Sequence, residues 1–262
     1  MTDLIPQGLS GVQSATDITQ VDVLKLVILG EPGVGKSWLT CTGRSPIYVA
    51  DFDDRKLSIA GKPGVFIKSY VDRDPKLPKS WSEFESDIGT LEYAKTKKEL
   101  QFKTIAIASL TYALKCAQNQ LMRDNVNLCR KVKVGSTEYL ITQGWDAVTV
   151  AQKMVEGILN RLFELGVDII VEAHIRREKD PASTPEKSIF TDKFTIEPQN
   201  LKMLLPMFNE RWLVTNDYGD YKVVTKPNTV FNAVTALHID GEEDPDITKI
   251  LAKHATNVAA GK

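Results

Sequence analysis

The chain has 262 residues, of which 42% are hydrophobic and 26% charged, and its formal net charge is -1. This composition is ordinary for a globular protein. The net charge excludes a protein surface that is positive throughout and binds nucleic acid everywhere, but it does not exclude a local basic surface. No apolar run approaches the roughly 20 residues that span a bilayer, and the first residues lack the charge pattern of a secretion signal. Three cysteines without C-x-x-C spacing predict reduced thiols and a cytoplasmic location.

The first strong pattern follows a polar stretch over residues 1–20, which predicts a flexible N-terminal arm. Leu24–Leu29 is a short apolar run that predicts a buried strand. Directly after it, Gly30–Ser37 reads GEPGVGKS and fits the pattern G-x-x-x-x-G-K-[ST]. A glycine loop between a strand and a helix binds phosphates through backbone amides, so this segment predicts a nucleoside triphosphate site.

Each residue of the motif has an expected role. The Lys36 ammonium reaches the β- and γ-phosphates, and the Ser37 hydroxyl is a Mg²⁺ ligand. Trp38 is expected to pack on the following helix rather than to hold a base. The predicted nucleotide-binding residues are Glu31, Pro32, Gly33, Val34, Gly35, Lys36, Ser37 and Trp38.

Beyond the motif, strand-like and helix-like segments alternate. Apolar runs predict strands over 46–51, 64–68, 103–108 and 167–171. Ser80 as an N-cap with Glu83 predicts a helix over 81–98, a second helix is expected over 110–130, and three- and four-residue apolar spacing predicts a third over 148–162. Polar segments over 131–144 and 174–196 predict loops, and two alternating runs within 210–225 predict a β-hairpin. This alternation predicts an α/β fold with a mostly parallel sheet, helices on both faces and a hairpin at one edge. We expect an ATPase-like domain over 21–240 and a C-terminal tail over 241–262.

Three further segments follow the glycine loop at predicted strand ends: Asp51-Phe52-Asp53, Ile105–Thr111 and Ile169–Arg177. Together with the glycine loop, these strand ends resemble those of RecA-type ATPases. In this order they are most similar to the small RecA-like ATPases of bacteriophages that act in single-strand annealing and recombination. The resemblance covers about residues 22–228. It implies ATP and Mg²⁺ as cofactors and, for a phage protein, the host cytoplasm.

The resemblance also implies catalytic residues. Asp53 takes the position of the acid that orients the attacking water, with Lys36 on the phosphates. His174 takes the position of a residue that senses the γ-phosphate. Asp51 is the second predicted Mg²⁺ ligand beside Ser37. The alternatives are that the aspartates only form a turn and that His174 is an ordinary histidine at a strand end.

One position departs from the family pattern. Strand 103–108 should end in a magnesium-binding Asp, but residue 108 is Ala. Weakened hydrolysis is therefore expected, and Ala108→Asp should raise turnover. Two explanations stay open: an introduced substitution that traps nucleotide, or a natural variant in which Asp51 or another acid takes over. A third reading makes this strand plain core.

The two polar loops correspond to the segments that line the DNA path in RecA-like proteins. Cations there would hold the phosphates of single-stranded DNA. The predicted DNA-binding residues are Lys131, Lys133, Arg176, Arg177 and Lys179. Because acids such as Glu178 and Asp180 dilute this charge, two solvated loops are the alternative reading.

The function implied by the resemblance is ATP hydrolysis coupled to single-stranded DNA in phage-type recombination or annealing. Implied partners are further copies of the chain in a ring or filament, and a single-strand binding or recombination protein. The alternative is a nucleotide-dependent loader or assembly factor with a protein partner and no DNA dependence. A kinase is disfavoured because no arginine-rich lid stands out.

Overall fold

A computed structural model describes residues 21–74, 77–125, 127, 129–134, 137–142, 144–184, 187 and 190–261. The predicted N-terminal arm lies outside these residues. The strands are β1 Lys25–Gly30, β2 Ile47–Asp51, β3 Val65–Ser69, β4 Thr104–Ala108, β5 Cys129–Val134, β6 Thr137–Thr142, β7 Asp168–Lys179, β8 Phe190–Glu197, β9 Glu210–Asp217, β10 Asp220–Val224 and β11 Glu242–Glu243. The α-helices are α1 Lys36–Thr40, α2 Ser80–Thr96, α3 Leu110–Asp124, α4 Gly144–Phe163 and α5 Ile247–Ala259.

A nine-stranded mixed sheet forms the centre of the described chain. Its order is β11-β10-β9-β1-β7-β4-β2-β3, and β8 pairs with β7. The six strands from β9 to β3 run parallel to one another, whereas β8, β10 and β11 pair antiparallel. This topology confirms the α/β fold, the parallel core and the β9–β10 hairpin near one edge.

Both faces of the sheet are covered because its strands are apolar at successive positions. On β1, Val27 and Leu29 face a core built with α2, α3 and α4. Leu26 and Ile28 face a second core that contains Leu39 of α1 and Ile247 of α5. Strands buried on both faces are typical of parallel sheets. The predicted C-terminal tail thus supplies part of the second core.

Three segments differ from the sequence expectation. Helix α3 ends at Asp124, before the end expected at about residue 130. The loop predicted over 131–144 contains the antiparallel pair β5–β6, and the loop predicted over 174–196 contains the end of β7 paired with β8. These segments form strands because neighbouring antiparallel backbones pair with each other, and in the β7–β8 pair Ile175 and Ile196 also join the hydrophobic core.

No α-helix in the described ranges is both long enough and apolar enough to cross a membrane.

A buried carboxylate fastens the amino end of the parallel core. Asp168, at the start of β7, accepts the Leu24 backbone N–H at 2.8 Å. Arg44 also donates to this carboxylate through Nε and Nη2, each at 2.6 Å. The carboxylate therefore ties the loop after α1 and the entry to β1 onto β7.

We expect Asp168→Ala to lower the free energy of unfolding by about 2–3 kcal/mol, because it leaves a guanidinium and a buried amide without an acceptor. Urea denaturation measures the loss. Lys153→Ala is the control, since the exposed Lys153–Glu156 pair should contribute less than about 0.5 kcal/mol. Equal losses for the two variants would contradict a structural role for Asp168.

Candidate functional site

The glycine loop lies between β1 and α1 at the carboxyl edge of the sheet. Gly33 and Gly35 have φ angles of 86° and 94°, in the left-handed region that favours glycine. A Cβ atom on Gly30 would come within 2.7 Å of Val34 and 2.9 Å of the Val214 carbonyl oxygen. The motif glycines are therefore required by this backbone path. Because α1 is so short, the loop amides and Lys36 contribute more to an anion site than a helix dipole does.

Lys36 is buried and held by the loop itself. Its Nζ donates to the carbonyl oxygens of Gly30 and Glu31, both at 2.9 Å. Burial lowers the pKa of the Lys36 ammonium, and the nearby Glu172 carboxylate opposes that shift. Because the charge of the buried ammonium is met here by neutral carbonyl groups as its closest partners, it favours binding of a triphosphate.

His174 connects the predicted catalytic residues. Its Nδ1 lies 3.5 Å from Lys36 Nζ, and its Nε2 lies 3.5 Å from Asp53 Oδ2. These residues come from β7, α1 and the segment after β2. They meet because parallel strands end at one edge of the sheet. The structure thus brings all three together, at distances that the sequence could not supply.

Arg55 is a site residue that the sequence reasoning missed. Its Nε lies 3.2 Å from Asp53 Oδ2, so this carboxylate lies between a guanidinium and an imidazole. The only signal in the sequence is a basic residue two positions after the predicted acid. A guanidinium there is suited to contact an anionic phosphate oxygen.

The glycine loop opens onto a cleft of about 190 Å³. Trp38 lies in this cleft with 46% of its surface exposed. The Lys62 ammonium lies 4.7 Å from the centre of its ring. The expectation that Trp38 packs along its helix is therefore wrong, because α1 presents this face to the cleft. The cleft is lined by Gly33, Gly35, Lys36, Ser37, Trp38, Asp53, Arg55, Ser58, Glu172 and His174.

Glu172 is the second residue that the sequence reasoning missed. It is buried on β7, where its Oε2 accepts from Ser37 Oγ at 2.9 Å and its Oε1 accepts from Thr40 Oγ1 at 2.7 Å. Burial raises the pKa of its carboxyl group, while these two hydrogen bonds and Lys36 lower it. The available signal was an acid in the middle of the apolar run Ile169–Ile175.

Asp51 lines a small cavity next to the cleft, together with Ser37 and Glu172, but its carboxylate has other partners. Its Oδ1 accepts the backbone N–H of Asp53 at 3.0 Å and of Arg55 at 3.3 Å. Its Oδ2 accepts from Ser69 Oγ at 3.2 Å. These bonds form the turn that carries Asp53 and Arg55 into the cleft. The Mg²⁺ role predicted for Asp51 stays a prediction.

The donor atoms around Ser37 fit a magnesium ion. A hydroxyl and carboxylate oxygens are the hard ligands that Mg²⁺ prefers, and Mg²⁺ is usually bound by one or two protein groups together with substrate phosphates. Ser37, Glu172 and Asp53 offer such oxygens beside the phosphate loop. When bound, the ion would neutralise charge on the phosphates.

The predicted DNA-binding residues lie on two hairpins. Arg176, Arg177 and Lys179 are exposed on the extension of β7 beyond His174, and the Arg177 guanidinium lies 5.9 Å from the Phe194 ring centre. Lys131 and Lys133 are exposed on β5 and alternate along it, which places them on one face of that strand.

We expect Thr40→Val to lower the free energy of unfolding by about 1–3 kcal/mol, because one oxygen of the buried Glu172 loses its donor at constant side-chain volume. Thermal or urea unfolding measures the change. Thr90→Val is the matched control, since its hydroxyl bonds the Ser86 carbonyl on an exposed helix surface. A cost no larger than that of the control would show that Thr40 does not support Glu172.

Comparison with known proteins places the chain in a family. The solved KaiC-like protein from the hyperthermophilic archaeon Pyrococcus horikoshii OT3 is similar over 78% of this chain and 77% of that one. Its TM-score of 0.38 and identity of 10% are too low to support an argument. Among curated proteins no match was found. The AAA domain family matches residues 22–204, more than half of the sequence. The chain therefore belongs to the AAA domain family of P-loop ATPases.

Proposed function

We propose that the chain hydrolyses ATP and couples this reaction to the binding of single-stranded DNA. The observation that carries the proposal is the continuity of β7. Its residue His174 lies beside Lys36 and Asp53, and the same strand continues into the exposed cations Arg176 and Arg177.

The phosphate end of the reaction uses groups already in place. The loop amides and Lys36 would bind the β- and γ-phosphates, while Ser37 and a neighbouring carboxylate would hold the metal ion. Asp53 orients the attacking water for in-line displacement, and Arg55 contacts developing charge on the phosphate oxygens. Lys36 leaves its carbonyl partners when phosphate oxygens offer a charged acceptor.

The DNA end of the reaction is the hairpin of β7 and β8. Its cations would hold DNA phosphates, and Phe194 offers a ring near Arg177. A shift of His174 on γ-phosphate release would be transmitted along the strand, because β7 is one continuous element. The resemblance to the small RecA-like ATPases of bacteriophages extends the proposal to a role in annealing or recombination.

Self-assembly is part of the proposal. Strand β3 is at the sheet edge and exposes Phe66 and Ile67, with 55% and 38% of their surfaces accessible. An edge strand with apolar side chains is suited to pairing with a second chain. Assembly into a ring or filament would place several cationic hairpins along one DNA strand.

Asp53→Asn should lower the rate of ATP hydrolysis by about 100-fold or more while ATP affinity changes little, because the amide no longer accepts a proton from water. Steady-state phosphate release and calorimetric titration measure the two quantities. Asp54→Asn is the matched control: it is the next residue, and its carboxylate lies 3.5 Å from exposed Arg73. Comparable rates for both variants would contradict the role of Asp53.

Arg176→Ala/Arg177→Ala should weaken single-stranded DNA binding and make its logarithmic salt slope less steep by about 1.4, since each lost phosphate contact contributes about 0.7 for single strands. Fluorescence anisotropy across a salt series measures this. Lys97→Ala/Lys103→Ala removes two exposed lysines at the opposite edge of the sheet and should leave the slope unchanged.

The ATPase rate of the unmodified protein distinguishes a DNA-dependent ATPase from a loader with a protein partner. Its ATPase rate should rise when single-stranded DNA is added. A rate that is identical with and without DNA at low salt would favour a loader or assembly factor instead.

A further inference from the structure

The missing acid at position 108 has charged neighbours on both sides. In the pairing of β2 with β4, Asp51 lies opposite Ala108. In the pairing of β4 with β7, Ile107 lies opposite Val171, so the next step sets Ala108 beside Glu172. The adjacent strands β2, β4 and β7 therefore carry Asp51, Ala108 and Glu172 side by side, near the phosphate loop.

We propose that Glu172 replaces the acid absent at position 108 and positions the Mg²⁺ that accompanies ATP, acting together with Ser37. This inference rests on the proposed ATP site and assigns its metal-positioning residue.

The hydrogen bond from Ser37 selects Glu172. The hydroxyl proton points at Glu172 Oε2 over 2.9 Å, which leaves the Ser37 oxygen lone pairs available to a metal ion. Thr40 fixes the other carboxylate oxygen at 2.7 Å, so the carboxylate is held in one orientation. Groups that orient a metal ligand in this way govern affinity for the ion.

The strand order explains how an acid on β7 can take the place of one at the end of β4. Strand β7 lies between β4 and β1, so a side chain on β7 is one strand closer to the phosphate loop. Neighbouring strands are about 4.8 Å apart, and Glu is one methylene longer than Asp. The carboxylate of Glu172 thus reaches Ser37 from the adjacent strand.

Asp51 is a weaker candidate because it accepts from the backbone of the turn that carries Asp53, whereas Glu172 accepts from side-chain hydroxyls, one of them that of Ser37. The donors to Asp51 are the backbone N–H groups of Asp53 and Arg55 and the Ser69 hydroxyl. A metal ion would compete with bonds that hold Asp53 in the cleft.

The small side chain of Ala108 leaves space beside Glu172. A cavity of about 10 Å³ lies among Ala108, Glu172, Ser37 and Asp51, enough for roughly one water molecule. An Asp at position 108 would add another carboxylate beside buried Glu172, and like charges in one site oppose each other's ionisation. Ala108→Asp alone is therefore expected to give no gain in turnover, the reverse of the expectation from sequence.

The test is calorimetric binding of a slowly cleaved ATP analogue in Mg²⁺ and in EDTA. For the parent, Mg²⁺ should tighten binding. Glu172→Gln should lose about 10-fold or more of that gain, a typical cost of removing a group that orients a metal ligand, with affinity in EDTA retained. Ala108→Asp/Glu172→Gln, which moves the acid back to β4, should recover the gain. Electron paramagnetic resonance of bound Mn²⁺ should change in Glu172→Gln and revert in the double variant.

Several results would overturn the proposal. One is a full Mg²⁺ gain with an unchanged Mn²⁺ spectrum in Glu172→Gln. Another is loss of the gain in Asp51→Asn but not in Glu172→Gln. A double variant that folds like the parent, by thermal unfolding, yet stays deficient in Mg²⁺ response also contradicts it, and this result stands even if Glu172→Gln alone fails to fold. Absence of analogue binding by the parent would instead refute the proposed ATPase function.

Discussion

A buried lysine ammonium at the carboxyl edge of a parallel sheet is the interaction on which the site depends. Lys36 holds the glycine loop through two carbonyl oxygens and lies beside an imidazole from the neighbouring strand. This geometry needs β1 and β7 side by side, with residue 30 level with residue 174. The pairing of β1 with β7 therefore builds the hydrophobic core and also sets the distance between Lys36, which is expected to bind phosphate, and His174, which is expected to sense it.

Charge in the cleft is organised by burial. Glu172 and Lys36 are both removed from water, and Glu172 gains hydroxyl donors while Lys36 gains carbonyl acceptors. Buried charges are tolerated when each has partners of this kind. The site is thus polar, with Glu172 already held in one orientation by two hydroxyls, whereas the Asp51 carboxylate shapes the turn that presents Asp53.

Strand β7 connects the buried site with the exposed hairpin that it forms with β8. Strand β7 begins in the core at Asp168, passes Glu172 and His174, and ends among exposed cations at Lys179. One strand therefore contains a residue that stabilises the fold, residues of the candidate metal and phosphate site, and cations of the proposed DNA surface. A paired strand transmits displacement better than the loop expected over this segment, because its backbone is hydrogen-bonded to β1 and β4 in the sheet and to β8 beyond it.

The sequence by itself determined the phosphate loop, the α/β class and the parallel core, because glycine spacing and continuous apolar runs are local signals. It also pointed to Asp53 and His174, through the resemblance of these strand ends to those of RecA-type ATPases. Only the tertiary structure decided that Glu172 faces Ser37, that Arg55 flanks Asp53 and that Trp38 faces the cleft. These contacts join residues from different elements, and strand order and register, which no local pattern encodes, set which side chains meet.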